Sequence, residues 1–181
     1  MSLRGETYGR RQGQYEAANP RRGIDGAEDM RRFSDGLRVA HGEPRSHVTY
    51  VAHSYGSYAV GVAARGGDGL HADDIVTLGS PGMGVDNAKQ LHIDPNHVWI
   101  SEAEDDMTRF AGGLTLGPGP HNIGFGGNNL YTDTSGHGGY WDTTADSDSD
   151  SVKNQGKIIA GKPPEVVPKE INIGGIIPVR H

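Results

Sequence analysis

The sequence contains no cysteine. Disulfides, zinc–thiolate sites and a cysteine nucleophile are therefore excluded together. Compartment stays open on that count, because disulfide-free proteins occur on both sides of a membrane. No apolar run approaches the roughly 18 residues that a membrane span needs. The N-terminal stretch, Met1 to Pro20, is polar and lacks the apolar centre of a signal peptide, so a cytoplasmic location is expected. Positive charge is in deficit: 17 Lys and Arg face 23 Asp and Glu, a net charge of −6. That balance argues against nucleic acid as a partner. The arginines before Val39 alternate with acids and glycines and read as a solvated surface. Aromatic residues are scarce at 7%, whereas glycine reaches 29 of 181 residues. The chain is long enough for one domain but is loop-rich, with less core material than its length suggests.

What is present divides the chain into a polar arm (1–22), a domain (23–162) and a tail (163–181). Ile24, Ala27, Met30, Phe33 and Leu37 recur at helical spacing, predicting a helix to Val39 whose early acids, Asp25, Glu28 and Asp29, suit its N-terminal dipole. Strands are expected over 47–52, 74–79, 97–101 and, weakly, 129–132. Helices are expected over about 56–65 and 150–160, the last capped by Ser149 or Asp150, with a turn or two of helix between Val85 and Leu91. Residues 111–127 read as a long glycine- and proline-rich loop, and Ile171–Val179 as an apolar edge strand or docking strip. Strands alternating with helical stretches argue for a parallel sheet, an α/β fold.

The chemistry centres on Val48 to Ala64. A β-branched run stops at His53, Ser54 sits on the corner, and a small-residue helical pattern follows. This is the strand, sharp turn and helix of a nucleophile elbow, with Ala52 and Gly56 as its small residues. A serine hydroxyl needs a general base, itself oriented by an acid, and the sheet can supply both in chain order. Asp105 and Asp106 follow the third strand and His137 the fourth, so all project from the same edge. The plainer readings are that Ser54 caps a helix and that the aspartates form a solvated turn. His53 reads as packing, and His121 is the second choice of base. Asp146, Asp148 and Asp150 open like a calcium loop, but Ser151 stands where its glycine belongs and Lys157 where its last acid belongs, so no metal is expected. Gly82-Met83-Gly84 is too short to cradle a phosphate. No cofactor is called for.

Four segments together carry a resemblance: Ala52 to Ser57, Leu78 to Val85, Val98-Trp99 leading to Asp105-Asp106, and Gly136 to Tyr140. They resemble an actinobacterial α/β-hydrolase-fold family classed as a domain of unknown function, over about residues 24–162. The resemblance implies an α/β-hydrolase-like parallel sheet with flanking helices, with Ser54 as nucleophile, His137 as base and Asp106 in preference to Asp105 as acid. The amide of Tyr55 is the implied oxyanion donor. In the full fold, strands precede the elbow; here only one helix does, so the N-terminal strands are expected to be lacking. Two functions follow: a serine hydrolase of a small ester, thioester or amide, or an inactive partial domain serving as an interaction module. A sheet so exposed is expected to self-associate or to require a missing N-terminal half.

Overall fold

The computed structural model describes residues 19–110, 116–143 and 147–168. Helix α1 (Pro20–His41) leads to strand β1 (Thr49–His53) and helix α2 (Tyr55–Ala64). Strands β2 (Asp74–Leu78), β3 (Val98–Ser101) and β4 (Asn128–Asn129) follow, and helix α3 (Asp150–Ile159) comes last. The four strands are all parallel, in spatial order β1-β2-β3-β4. Among the described residues β1 is thus an edge strand, and the α/β class with its flanking helices is the one implied by the sequence. The remainder of the polar arm (1–18) and the apolar strip Ile171–Val179 lie outside the described residues. No helix among the described residues is long and apolar enough to cross a membrane.

Period-two alternation distributes the strand side chains between two cores. Ile75, Val98 and Ile100 face one side, packing with Ala52, Tyr58, Val62 and Met83 around α2. Val76 and Leu78 face the other, with Ala103, Leu130, Tyr140 and Ile158. All of β2 is buried, as befits a strand covered on both faces. β4 is shorter than expected. After its two residues, Leu130 turns to an antiparallel bridge with Val166, a segment whose pairing no local periodicity announces.

α1 departs from its expected form in two ways. It begins earlier, because Asn19 caps it by accepting from Arg21 N at 3.0 Å and Pro20 fits the first helical position. No acid therefore sits in its first turn. Its contact face is also different. Gly23, Ala27 and Ser34 are buried, whereas Ile24, Phe33, Leu37 and Val39 are exposed. Small residues win because α2 is itself glycine- and alanine-rich, and hydrogen bonds knit the two helices: Tyr55 Oη accepts from Gly23 N at 2.9 Å and donates to Asn19 O at 2.6 Å. Arg38 and Arg45 then clasp Asp73, whose Oδ2 also accepts from Val48 N at 2.8 Å, tying α1 to the start of β1.

The opposite face is closed differently. The buried residues of α3 are Ser151, Asn154, Gln155 and Ile158, three of them polar. Ser151 Oγ and Gln155 Nε2 donate to Tyr140 O at 3.0 and 2.9 Å, and Asn154 Nδ2 donates to Tyr131 O at 3.1 Å. Ser149, of the two caps anticipated, accepts from Val152 N at 3.2 Å.

A glycine on α2 sets how closely it lies on the loop after β2. A methyl group at Gly61 would overlap the Met83 carbonyl, while one at Gly56 meets nothing within 4 Å. Gly61→Ala should therefore cost about 1–3 kcal/mol by overpacking, lowering Tm on the order of 2–4 °C per kcal/mol for a chain of this size. Gly56→Ala should melt at or slightly above wild type on the same calorimeter, since alanine favours a helix over glycine; equal losses would show that the Met83 contact is not what limits position 61.

Candidate active site

Ser54 is positioned by backbone. β1 ends at His53, whose register partner is Leu78, and Ser54 N donates to Leu78 O at 2.9 Å, anchoring the corner to β2. Ser54 takes φ 54° and ψ −129°, a region costly for any residue with a β-carbon. Ser57 N returns to Ser54 O at 3.0 Å, starting α2 at once. The Ser54 side chain makes no capping hydrogen bond, which removes the plainer reading of it as a helix cap. Instead its Oγ lies 2.8 Å from His137 Nε2. Tyr55, the first residue of α2, offers its amide at the positive end of that helix. A methyl group at Gly56 would meet nothing within 4 Å, so the small residue there is not demanded by a close neighbour.

His137 Nδ1 is 3.0 Å from each oxygen of Asp106. A carboxylate only accepts, so Nδ1 carries the proton and Nε2 is left to accept from the Ser54 hydroxyl. Asp106 is fully buried. Burial opposes its ionisation, but donors overcome it and hold its pKa below the usual carboxylate range: the Tyr140 hydroxyl, Thr108 N, His137 and the Thr108 hydroxyl. Tyr140 Oη donates to Oδ2 at 2.7 Å, and Thr108 N and Oγ1 lie 2.9 and 2.7 Å from Oδ1. The Tyr140 phenol stays neutral, its own pKa raised chiefly by burial, and accepts from Ala103 N at 2.9 Å.

Asp105 faces the other way, on the turn that Asp106 N closes by donating to Ala103 O at 3.1 Å. Its carboxylate accepts from Gly136 N and Ser135 Oγ, each at 2.6 Å, which lowers its pKa and clamps the loop that carries His137. His53 does pack, and against His137: its ring lies 4.6 Å from that of His137, Trp141 covers its edge, and its Nε2 is 2.7 Å from His137 O. His121 is buried, and burial pushes its pKa down to about 4, which makes it a weak proton acceptor.

Four residues around this chain had no place in the sequence reading of the site. Tyr140 and Thr108 hold Asp106. Gly79, at φ 54°, leaves room where a side chain would meet Asp106, Tyr140 and His137. Glu102, fully buried, accepts from Ser80 N at 3.1 Å and lies 3.0 Å from the Thr108 hydroxyl. Their signals were faint: a glycine directly after a buried strand, an acid directly after another, and a threonine two residues past an aspartate. A cavity of about 520 Å³ lined by Tyr58, Arg65, Val85, Gln90 and Leu116 shares no residue with this cluster.

A family model described as alpha/beta hydrolase matches residues 9–115. Among the similar curated proteins, one of Mycobacterium tuberculosis described as uncharacterized is 35% identical over 82 residues, which is 45% of this chain and 30% of that protein. A second uncharacterized protein of that organism is 38% identical over 89 residues, 49% of this chain and 13% of its own length. An uncharacterized protein of Mycobacterium bovis matches at 35% over 82 residues. The chain thus spans less than a third of the length of these relatives. No solved structure matches it.

The lowered pKa of Asp106 has a signed consequence for stability. The contribution is present above the ordinary aspartate pKa of about 3.9 and is lost as pH falls through the lower folded value. Tyr140→Phe removes one donor and orphans Ala103 N, so it should cost about 1–3 kcal/mol at pH 7. The difference from wild type should shrink as acid protonates Asp106 in both. Urea titrations from pH 7 down into the acid range measure it, and a penalty independent of pH would assign the loss to packing alone.

Proposed function

The chain belongs to the alpha/beta hydrolase family, and on that premise we propose that it is a serine hydrolase acting on a small ester, thioester or amide. Ser54 is the nucleophile, His137 the general base, Asp106 the acid that orients it, and the Tyr55 amide an oxyanion donor. What carries the reading is the continuous link Ser54–His137–Asp106, at 2.8 and 3.0 Å, on a serine held at positive φ.

The reaction proceeds in two halves. His137 Nε2 takes the Ser54 proton as Oγ adds to the substrate carbonyl carbon, and the developing oxyanion faces Tyr55 N. The imidazolium is stabilised by Asp106, which stays ionised because its donors hold it so. It then gives the proton to the departing alcohol, thiol or amine, leaving the acyl group on Ser54. Water, deprotonated by the same base, releases the acid and restores the serine.

A second reading, that the domain serves as an interaction module, draws support from β1, which pairs on one side only among the described residues and so offers backbone groups to a partner strand.

A fluorophosphonate probe separates the two. We expect labelling of the wild type and none of Ser54→Ala; a folded wild type that stays unlabelled favours the module. Asp106→Asn should lower kcat by about 10⁴, leaving His137 in the wrong tautomer. Asp105→Asn keeps one oxygen for the Gly136 amide and should lose only a few-fold. Equal losses at the two positions would remove Asp106 from the role given to it here.

A further inference from the structure

The neighbourhood of Glu102 contains more than the proposed hydrolase reading uses. Thr108 Oγ1 lies 2.7 Å from Asp106 Oδ1 and 3.0 Å from Glu102 Oε1. A hydroxyl has one hydrogen to give. Asp106, ionised and already accepting from His137 and Tyr140, can only accept, so that hydrogen belongs to Asp106. The contact at 3.0 Å then needs its proton from the other side, from Glu102 Oε1. Glu102 Oε2 accepts from Ser80 N, which fixes it as the carbonyl oxygen and leaves Oε1 as the hydroxyl.

We propose that Glu102 is a positioning residue that works as a neutral acid: it donates to the Thr108 hydroxyl, which donates to Asp106, extending the chain Ser54–His137–Asp106 by two members. It touches no reacting atom. Its effect is to aim the Thr108 hydrogen at Asp106 and to keep a second negative charge away from it. The proposal rests on the hydrolase reading for its effect on rate, but not for the protonation itself.

The surroundings agree. Complete burial pushes the Glu102 pKa up to about 8, and the neighbouring charge of Asp106 adds to that. The hydrogen bond that the Thr108 hydroxyl would give to an ionised Glu102, the Ser80 amide and the charge of Arg109 oppose it and are outweighed. Those groups, with Asp106 and the neutral phenol of Tyr140, surround this carboxyl. Once the proton leaves, the Thr108 hydroxyl faces two carboxylates with one hydrogen, and Asp106 loses part of its hold.

The test has an arm that does not depend on activity. In wild type labelled with carbon-13 at the glutamate carboxyls, one glutamate should titrate near pH 8, and the His137 ring resonances should shift with it. Both changes should vanish in Glu102→Gln, whose amide oxygen accepts from Ser80 N and whose NH₂ donates to Thr108 as the neutral acid does. In ester hydrolysis the wild type should lose kcat above about pH 8 with KM little changed, while Glu102→Gln keeps a flat profile there. Thr108→Val should lower kcat about tenfold on the plateau, the loss of a hydrogen bond to a charged group, and Thr108→Ser should restore it. Absence of any glutamate titrating above pH 7 in the wild type overturns the proposal, whether or not the variants fold. So do superimposable profiles for wild type and Glu102→Gln. An inactive wild type that still shows the coupled titration would refute the hydrolase reading and leave this inference standing.

Discussion

The Asp106 carboxylate is the group to which the rest of the site answers. Taking a charge out of water is costly unless hydrogen bonds replace the solvent. Here the replacements come from Thr108 beside it, from Tyr140 and from His137. Thr108 shares a segment with the acid, and His137 and Tyr140 lie three residues apart on a later loop, so satisfying one charge fixes two chain segments relative to each other. Tyr140 is in turn gripped by α3 through its carbonyl, and Ala103 N hangs on its hydroxyl. Through Tyr140, α3 therefore bears on the orientation of His137.

Regular elements were legible where local signals sufficed. β1, β2 and β3 announced themselves as β-branched runs, α2 as a small-residue segment following a corner, and α3 through its Ser149 cap. Ser54, Asp106 and His137 could be picked out because Ser54 directly follows β1 and the other two lie on the loops after β3 and β4, at the same edge of a parallel sheet. Which of the two aspartates meets His137 was not decided by spacing. Structure separates the pair by direction: Asp105 turns to the loop amide of Gly136 while Asp106 turns inward to the imidazole.

What stayed hidden was long-range. The apolar residues of α1 gave a helical period, but the period admits more than one face, and the face in use is chosen by how near α2 can come. Gly23 and Ala27 win over Phe33 and Leu37 because they let Tyr55 and Tyr58 close in. Glu102 was equally illegible. An acid after a strand looks like any solvated turn, and only the fold shows it buried against Ser80 and Thr108.

The polar buried face of α3 carries a thermodynamic signature of its own. A helix held by hydroxyl and amide side chains, with Ile158 as its one buried aliphatic residue, exposes little apolar surface when it lifts away. Detachment of that kind involves a small heat-capacity change and a shallow dependence on denaturant. It would appear in hydrogen exchange as an opening that urea scarcely accelerates, distinct from global unfolding. Both faces of this sheet bury an apolar cluster, but their helices are held differently: α2 largely by apolar contact, α3 largely by directional bonds.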